Sequence, residues 1–266
     1  MAEKIKIELT NGLSCKTYSA PRSWNDMGKK ELLMWANILQ MELTRDEAMN
    51  LAVMKLYGID EDVFANLQAG VLYALRESLN YLEKNTLTSN VIGCCYALLN
   101  RYYGPESKLA NISIAEYRRT EIYYQLYQHT KRKNFLCLLV ATLWRPKGGK
   151  NRDDVRESMD EVSIIKRAKD FERWMHPAYL HSIKLFYEGC RSYIIEKHPE
   201  VYPISDAEDG PLTKPQSRRL MDLEDHILAY SGGKLGNYEE TAKSNLYLFL
   251  KHMSQKIEEM NRTNNG

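Results

Sequence analysis

The side chains able to bind a metal, attack a carbonyl or carry a proton are spaced along this chain so that they form none of the familiar sites. Six histidines, His129, His176, His181, His198, His226 and His252, stand apart. His176 and His181 are five residues apart with Pro177 between them, whereas two imidazoles share a helical face at i, i+3 or i, i+4. The five cysteines (Cys15, Cys94, Cys95, Cys137, Cys190) are odd in number, include an adjacent pair and contain no Cys-x-x-Cys. They indicate neither a zinc site nor a disulfide framework, and they suit a reducing compartment. Ser231-Gly232-Gly233-Lys234-Leu235-Gly236 has the glycines and lysine of a phosphate loop. It lacks the upstream glycine and places Leu235 where the magnesium-binding hydroxyl belongs, so it reads as a helix cap. The carboxylate pairs Asp153-Asp154, Asp160-Glu161 and Glu239-Glu240 fall at loop edges or in first helical turns, where the helix dipole favours negative charge, and they read as solvated caps. No serine occupies a G-x-S-x-G elbow. The sequence therefore offers no catalytic, cofactor-binding or metal-binding residue and implies no cofactor; the expectation is a non-enzyme.

Basic clusters Arg118-Arg119, Lys131-Arg132-Lys133 and Arg218-Arg219 lie near tyrosines, a mixture that can track a phosphate backbone. Each is interleaved with or adjacent to helix interiors carrying acids, which favours solvated helix faces over a nucleic-acid surface. Aromatic usage is uneven, with 18 Tyr against 5 Phe and 4 Trp. Tyr117, Tyr123, Tyr124 and Tyr127 recur at helical spacing, and an apolar ring with a polar tip suits a surface that is wet in one state and dry in another. As a set they favour a protein-binding face. Met34, Met41, Met49 and Met54 add apolar surface that adapts to irregular partners.

Bulk properties bound the answer. A 266-residue chain buries roughly 70–75% of the surface of its unfolded form, enough for a core without staples. With 44% hydrophobic and 27% charged residues, the composition is that of a globular domain. Lys+Arg 37 against Asp+Glu 35 leaves a formal charge of +2, too small to announce a nucleic-acid partner. Met1-Ala2-Glu3-Lys4 lacks the apolar core of a secretory signal. The longest apolar run, Phe135 to Trp144, is about half the ~20 residues of a bilayer span and reads as a buried core helix. No membrane association is expected, and nothing here directs export.

The elements that would position any site are mostly helical. Lys4 to Leu9 and Leu13 to Tyr18 alternate with period two around Asn11-Gly12, which predicts a β-hairpin. Helices are expected over Lys29–Met41 and from a capping box at Thr44-Arg45-Asp46-Glu47 to Gly58. One long helix is expected from Glu61 to Glu83, with Gly70 permitting close packing, and another from Asn90 to Tyr103, stopped by Gly104-Pro105. A second capping box, Ser113-Ile114-Ala115-Glu116, opens a helix to Lys131, and the apolar run stops at Arg145-Pro146. Val155–Met175 and Ala178–His198 read as an antiparallel helix pair. Pro199 to Pro215 reads as a loop or linker; Arg218–Tyr230, capped by Gly232-Gly233, and Tyr238–Met260 read as the last helices. The expected architecture is mainly α, an N-terminal β-hairpin followed by a multi-helix bundle. Its parts are a hairpin and lead-in (1–28), a helical domain (29–199), a Pro-rich linker (200–217) and a C-terminal helical segment (218–266).

The order of a hairpin, then Pro21-Arg22-Ser23-Trp24-Asn25-Asp26-Met27, then an amphipathic helix resembles the N-terminal region of tail-assembly and tail-accessory proteins of tailed bacteriophages. Leu143-Trp144-Arg145-Pro146, followed by a charged loop and two helices, is similar to the same group. The matching segments cover about a third of the chain, and Arg218 to Gly266 falls outside them. The resemblance implies a non-enzymatic chaperone or structural accessory protein that binds a tail or virion component in the bacterial cytoplasm or the virion. Self-association is compatible with that role. Two other classes stay open: a nucleic-acid-binding accessory protein using the Arg118, Lys131 and Arg218 clusters, and an enzyme of unrecognised class.

Overall fold

A computed structural model describes residues 4–10, 15–148, 154–202 and 236–264. The expected 218–230 helix, its Gly232-Gly233 cap, the Asn11-Gly12 turn and most of the 199–215 loop lie outside the described residues. In chain order the elements are β1 (Lys4–Thr10), β2 (Cys15–Pro21), α1 (Lys29–Ile38), α2 (Arg45–Tyr57), α3 (Glu61–Ala65), α4 (Ala69–Glu77), β3 (Cys94–Ala97) and β4 (Asn100–Tyr103). There follow α5 (Ile114–Thr130), α6 (Lys133–Leu143), α7 (Glu161–Trp174), α8 (Pro177–Lys197), α9 (Tyr238–Lys243) and α10 (Leu246–Asn264). The protein is mainly α with an N-terminal antiparallel hairpin. It forms two compact units: Met1–Ile92 with His176–Cys190, and Gly93–Met175 with Arg191–Gly266.

In the first unit, β1 and β2 pair along their full length, Lys4 opposite Pro21 and Thr10 opposite Cys15. The segment Pro21 to Met27 then acts as a structural lock. Trp24 is fully buried and donates its indole N–H to the Tyr81 carbonyl at 2.8 Å. The Asn25 side-chain oxygen accepts from the amides of Thr88 and Ser89, each at 2.9 Å, so one residue holds a loop lacking ladder partners of its own. The Thr44 box forms as expected and starts α2, which ends at Gly58 in the left-handed conformation (φ 69°) that a glycine adopts without strain. At the first part of α8, Asn85 donates to the Leu185 carbonyl at 2.8 Å.

The expected helix over Glu61–Glu83 is broken instead into α3, α4 and a 3-10 turn at Asn80–Glu83. Only Leu75, Leu79 and Leu82 of its apolar stripe are buried, so nothing holds Asn66 to Gln68 in register. Gly70 does not mediate close packing: a Cβ there would meet open space. The tight glycine is Gly189 in α8, where a Cβ would lie 2.2 Å from the Leu87 carbonyl oxygen.

The second unit is built on α5, α6 and α7. The Ser113–Glu116 box opens α5, and Lys131 (φ 54°) ends it, so the apolar run forms a separate helix, α6, buried along most of its length. The expected helix over Asn90–Tyr103 is a hairpin, with Cys95 opposite Tyr102 and Tyr96 opposite Arg101. Two effects win over the helical pattern. Cys95, Ala97 and Tyr102 are the buried positions, a period of two, and Tyr103 exchanges backbone hydrogen bonds with Arg145 at 2.8 and 3.1 Å. Tyr102 meets Phe171 of α7 edge-on, with ring centroids 4.7 Å apart. The expected Tyr238–Met260 helix breaks at Ser244-Asn245, because Ile114 donates to the Ser244 carbonyl and Leu246 to the Ile112 carbonyl, each at 3.0 Å.

Val155 to Asp160 is likewise not helical, and α7 starts only at Glu161 behind the Asp160 cap. The cause is a buried ion network. Arg156 is wholly buried; its guanidinium sits 2.7 Å from Asp154 Oδ2 and 3.4 Å from Glu116 Oε1 and donates to the Leu143 carbonyl at 2.9 Å. Arg145 pairs with Glu116 directly and lies 3.6 Å from Asp154. Alongside, Arg167 pairs with Glu157 at 2.6 Å and donates to the Ala141 carbonyl. Three guanidiniums thus face three carboxylates. Burial pushes the Arg145 guanidinium down to about 10, against the pull of Glu116, and it stays charged at neutral pH. Burial alone would raise the Asp154 carboxyl, but its bonds to Arg156 hold it below the usual carboxylate range.

Two measurements test this account. Gly189→Ala is expected to destabilise the protein by about 1–3 kcal/mol through the backbone clash at Leu87, whereas Gly70→Ala raises Tm slightly, following helix propensity. Glu116→Gln preserves the capping box but removes the charge shared by Arg145 and Arg156, and urea unfolding should show a loss of about 3–5 kcal/mol.

Candidate functional site

The most site-like feature of the first unit lies where α1 gives way to α2. The apolar stripe of α1 (Leu32, Trp35, Ala36, Ile38) is buried, and the helix stops one residue before Leu39. Gln40 caps this end by donating to the Ala36 carbonyl at 2.7 Å. The link to Thr44 then carries Leu39, Met41 and Leu43 at alternate positions, and these side chains are 49%, 44% and 38% exposed. They form the wall of a cavity of about 270 Å³ whose floor includes Trp35, Ile38, Met49 and Leu82. The Trp35 indole N–H is buried and has no acceptor among the described residues.

Thr44, Arg45, Met49 and Glu83 also line a second cavity of about 590 Å³, so the two adjoin along these residues. This second end is charged. Arg45 pairs with Glu83, and Arg76 of α4 pairs with Asp46 of α2. Glu77 accepts from Asn80 at 2.8 Å and is the carboxylate left over when the two arginines are matched with Asp46 and Glu83. The result is an open cleft, greasy at one end and ion-paired with one acid in excess at the other. Such a surface can bind an amphipathic segment.

The residues singled out in the sequence are placed apart. His176 accepts from the Ala178 amide at 3.2 Å and caps α8. Burial, with Lys184 nearby, pushes the His181 imidazole down to about 4, so it is neutral at pH 7. His198 ends α8 with its Nδ1 3.9 Å from Glu200, and His226 lies outside the described residues. Burial pushes the Cys137 thiol up to about 12, which makes it a poor nucleophile. Among the described residues no three His, Cys, Asp or Glu side chains are grouped to hold a metal ion. Gly236 (φ 83°) is the one residue of the 231–236 loop that is described; it precedes an Asn237–Glu240 capping box, which satisfies the start of α9. Asp160 is a cap as expected, but Asp154 is not a solvated one: it belongs to the buried ion network.

The basic clusters do not present free cations together. Arg119 pairs with Glu161 at 2.7 Å, Lys131 donates to Gln128, and Lys133 to the Glu172 carbonyl. Arg118 and Lys131 are about 20 Å apart along α5, and Arg218-Arg219 lies outside the described residues. The tyrosine set is engaged internally. Tyr117 is core, Tyr124 lies under Arg191 at 5.7 Å, and Tyr127 under Lys131 at 5.8 Å. Of the methionines, Met41 and Met49 line the cleft, whereas Met34 and Met54 are half-buried outside it. The alternation Leu39-x-Met41-x-Leu43 just before a capping box was the available sequence signal for the cleft.

Comparison of the chain with protein-family models, curated proteins and solved structures finds no match. Fold and site together define a mainly α protein with an N-terminal hairpin and an open amphipathic cleft. Among the described residues, no helix is long and apolar enough to cross a membrane.

The ion pairs at the charged end are exposed and should contribute little to folding. Arg45→Ala and Arg76→Ala are each expected to change unfolding free energy by less than about 1 kcal/mol, read as a near-unchanged urea midpoint.

Proposed function

We propose that this protein is a non-catalytic assembly or accessory factor that holds a segment of a partner polypeptide in the cleft between α1 and α2. One observation carries the reading: three large apolar side chains, Leu39, Met41 and Leu43, stand open on the wall of a cavity that adjoins an ion-paired one. A folded chain gains nothing from that exposure, whereas an amphipathic partner helix gains apolar burial from it. The partner segment carries apolar residues at i, i+3 or i+4 for the Trp35 end and a basic residue for Glu77. The Trp35 N–H supports a polar anchor point, since a buried donor without an acceptor is costly. The resemblance of residues 21–27 and 143–146 to phage tail-accessory proteins makes a tail or virion component the partner class of this proposal.

The test is co-expression with the products of the reading frames flanking its own. A tail or virion product is expected to co-purify with the wild-type chain, and the Leu39→Asp, Met41→Asp double variant to bind it at least about a hundredfold more weakly at unchanged Tm, since two apolar anchors are lost. No co-purifying product, or full binding by the double variant, overturns the reading. Retention on DNA that falls steeply with salt favours the nucleic-acid alternative.

A further inference from the structure

The second unit carries an apolar feature that its own folding does not explain. The β3–β4 hairpin turns through Leu98 and Leu99 alone. Leu98 adopts φ 53°, a conformation that two-residue hairpin turns normally assign to Asn or Gly and that strains a branched side chain. The two leucines are 61% and 91% exposed. A strained backbone that presents two bare leucines to water is the signature of a contact element. Two residues beyond Leu99, Arg101 is stacked on the rings of Tyr96 and Tyr103, at 5.9 and 4.9 Å from their centroids, with its Nη2 3.2 Å from Cys94 Sγ. No carboxylate pairs with it among the described residues.

We infer that this tip seats in the α1–α2 cleft of a second copy of the chain. Size, polarity and charge select that occupant. An apolar cavity of about 150 Å³ accommodates a six-carbon ring, so the 270 Å³ greasy end holds the eight side-chain carbons of Leu98 and Leu99. The arginine flanking the tip meets the end of the cleft that holds one carboxylate in excess, Glu77. Because knob and hole are different surfaces, the contact is heterologous and propagates from copy to copy or closes into a ring. The inference rests on the proposed binding role of the cleft and adds its resting occupant: self-association fills the greasy end, and a partner segment must displace it.

The full chain is tested by sedimentation over a concentration series. Wild type is expected to grow in mass with concentration. Leu98→Asn with Leu99→Gly supplies a relaxed turn, so this variant should fold with an equal or higher Tm yet associate at least about a hundredfold more weakly, as follows from two lost leucine contacts. Leu39→Asp with Met41→Asp should do the same from the cleft side. Mixed together, the tip variant with its intact cleft and the cleft variant with its intact tip should give a one-to-one dimer and nothing larger. Wild type that stays monomeric, variants that associate like wild type, or a mixture that stays monomeric each overturns the inference. So does tip-dependent binding to anionic vesicles by a chain that does not self-associate, which would make the tip a lipid contact. Loss of the flanking-gene product in the cleft variant, with self-association unaffected by either pair of substitutions, would sink this inference alone; the reverse pattern would sink the partner reading alone.

Discussion

The second unit depends on a charge cluster kept away from water. Desolvating a guanidinium is expensive, and it is sustained only where carboxylates and carbonyls replace the lost hydration. Arg156 meets that requirement completely, with Asp154, Glu116 and the Leu143 carbonyl around it. Arg145 meets it through Glu116 and Asp154, although its Nε finds no partner among the described residues. Much of the local chain path follows from this. Asp154 and Val155 bend so that Arg156 comes beside the end of α6, and Lys147 pairs with Arg156 in a short bridge. Glu116 does double duty, one oxygen in the cluster and the other capping α5 through the Ser113 amide at 2.8 Å. One side chain therefore sets both where a helix begins and where a loop is anchored.

The first unit meets an equivalent need with neutral groups. Asn25 accepts from the Thr88 and Ser89 amides and Asn85 from the Leu87 amide, serving loop backbone that no strand or helix serves, and Gly189 lets α8 approach Leu87 closely. The backbone that they fix lies at Leu87 to Ser89, after α4. The Leu39–Leu43 link is held by short-range bonds, Gln40 to the Ala36 carbonyl and the Met41 amide to the Ile38 carbonyl, and there the chain exposes apolar side chains instead of burying them. A rigid α1–α2 frame with an open link is the arrangement a docking cleft needs, because the ordering cost is met before the partner arrives.

Legibility in the sequence tracks how local the deciding interaction is. The capping boxes at Thr44 and Ser113 are closed by residues three apart, and both form. The N-terminal hairpin rests on alternation in adjacent residues, and its register is as regular as the pattern suggests. By contrast, Asn90–Tyr103 has a helix-compatible apolar run, yet its pairing is decided by Arg145, some forty residues on. The stripe from Val63 to Leu82 has helical spacing, but half of it finds nothing to pack against. The alternation of Leu39, Met41 and Leu43 was visible in the sequence, whereas the stacking of Arg191 and Lys131 on Tyr124 and Tyr127 was not, because Arg191 lies on a helix far along the chain.

What the sequence determined by itself was the class of structure: a mainly α chain opened by a two-stranded hairpin, with helix starts at its Ser/Thr-x-x-Glu boxes. Those features depend on periodicity and on hydrogen bonds between near neighbours, which any folded context preserves. Only the tertiary structure decided that Asp154 joins a buried ion network, that Leu98 and Leu99 form a turn, and that Leu39, Met41 and Leu43 face a cavity. Each of those outcomes turns on residues far along the chain that compete for the same backbone or the same apolar surface, and the spacing of neighbours does not encode who wins.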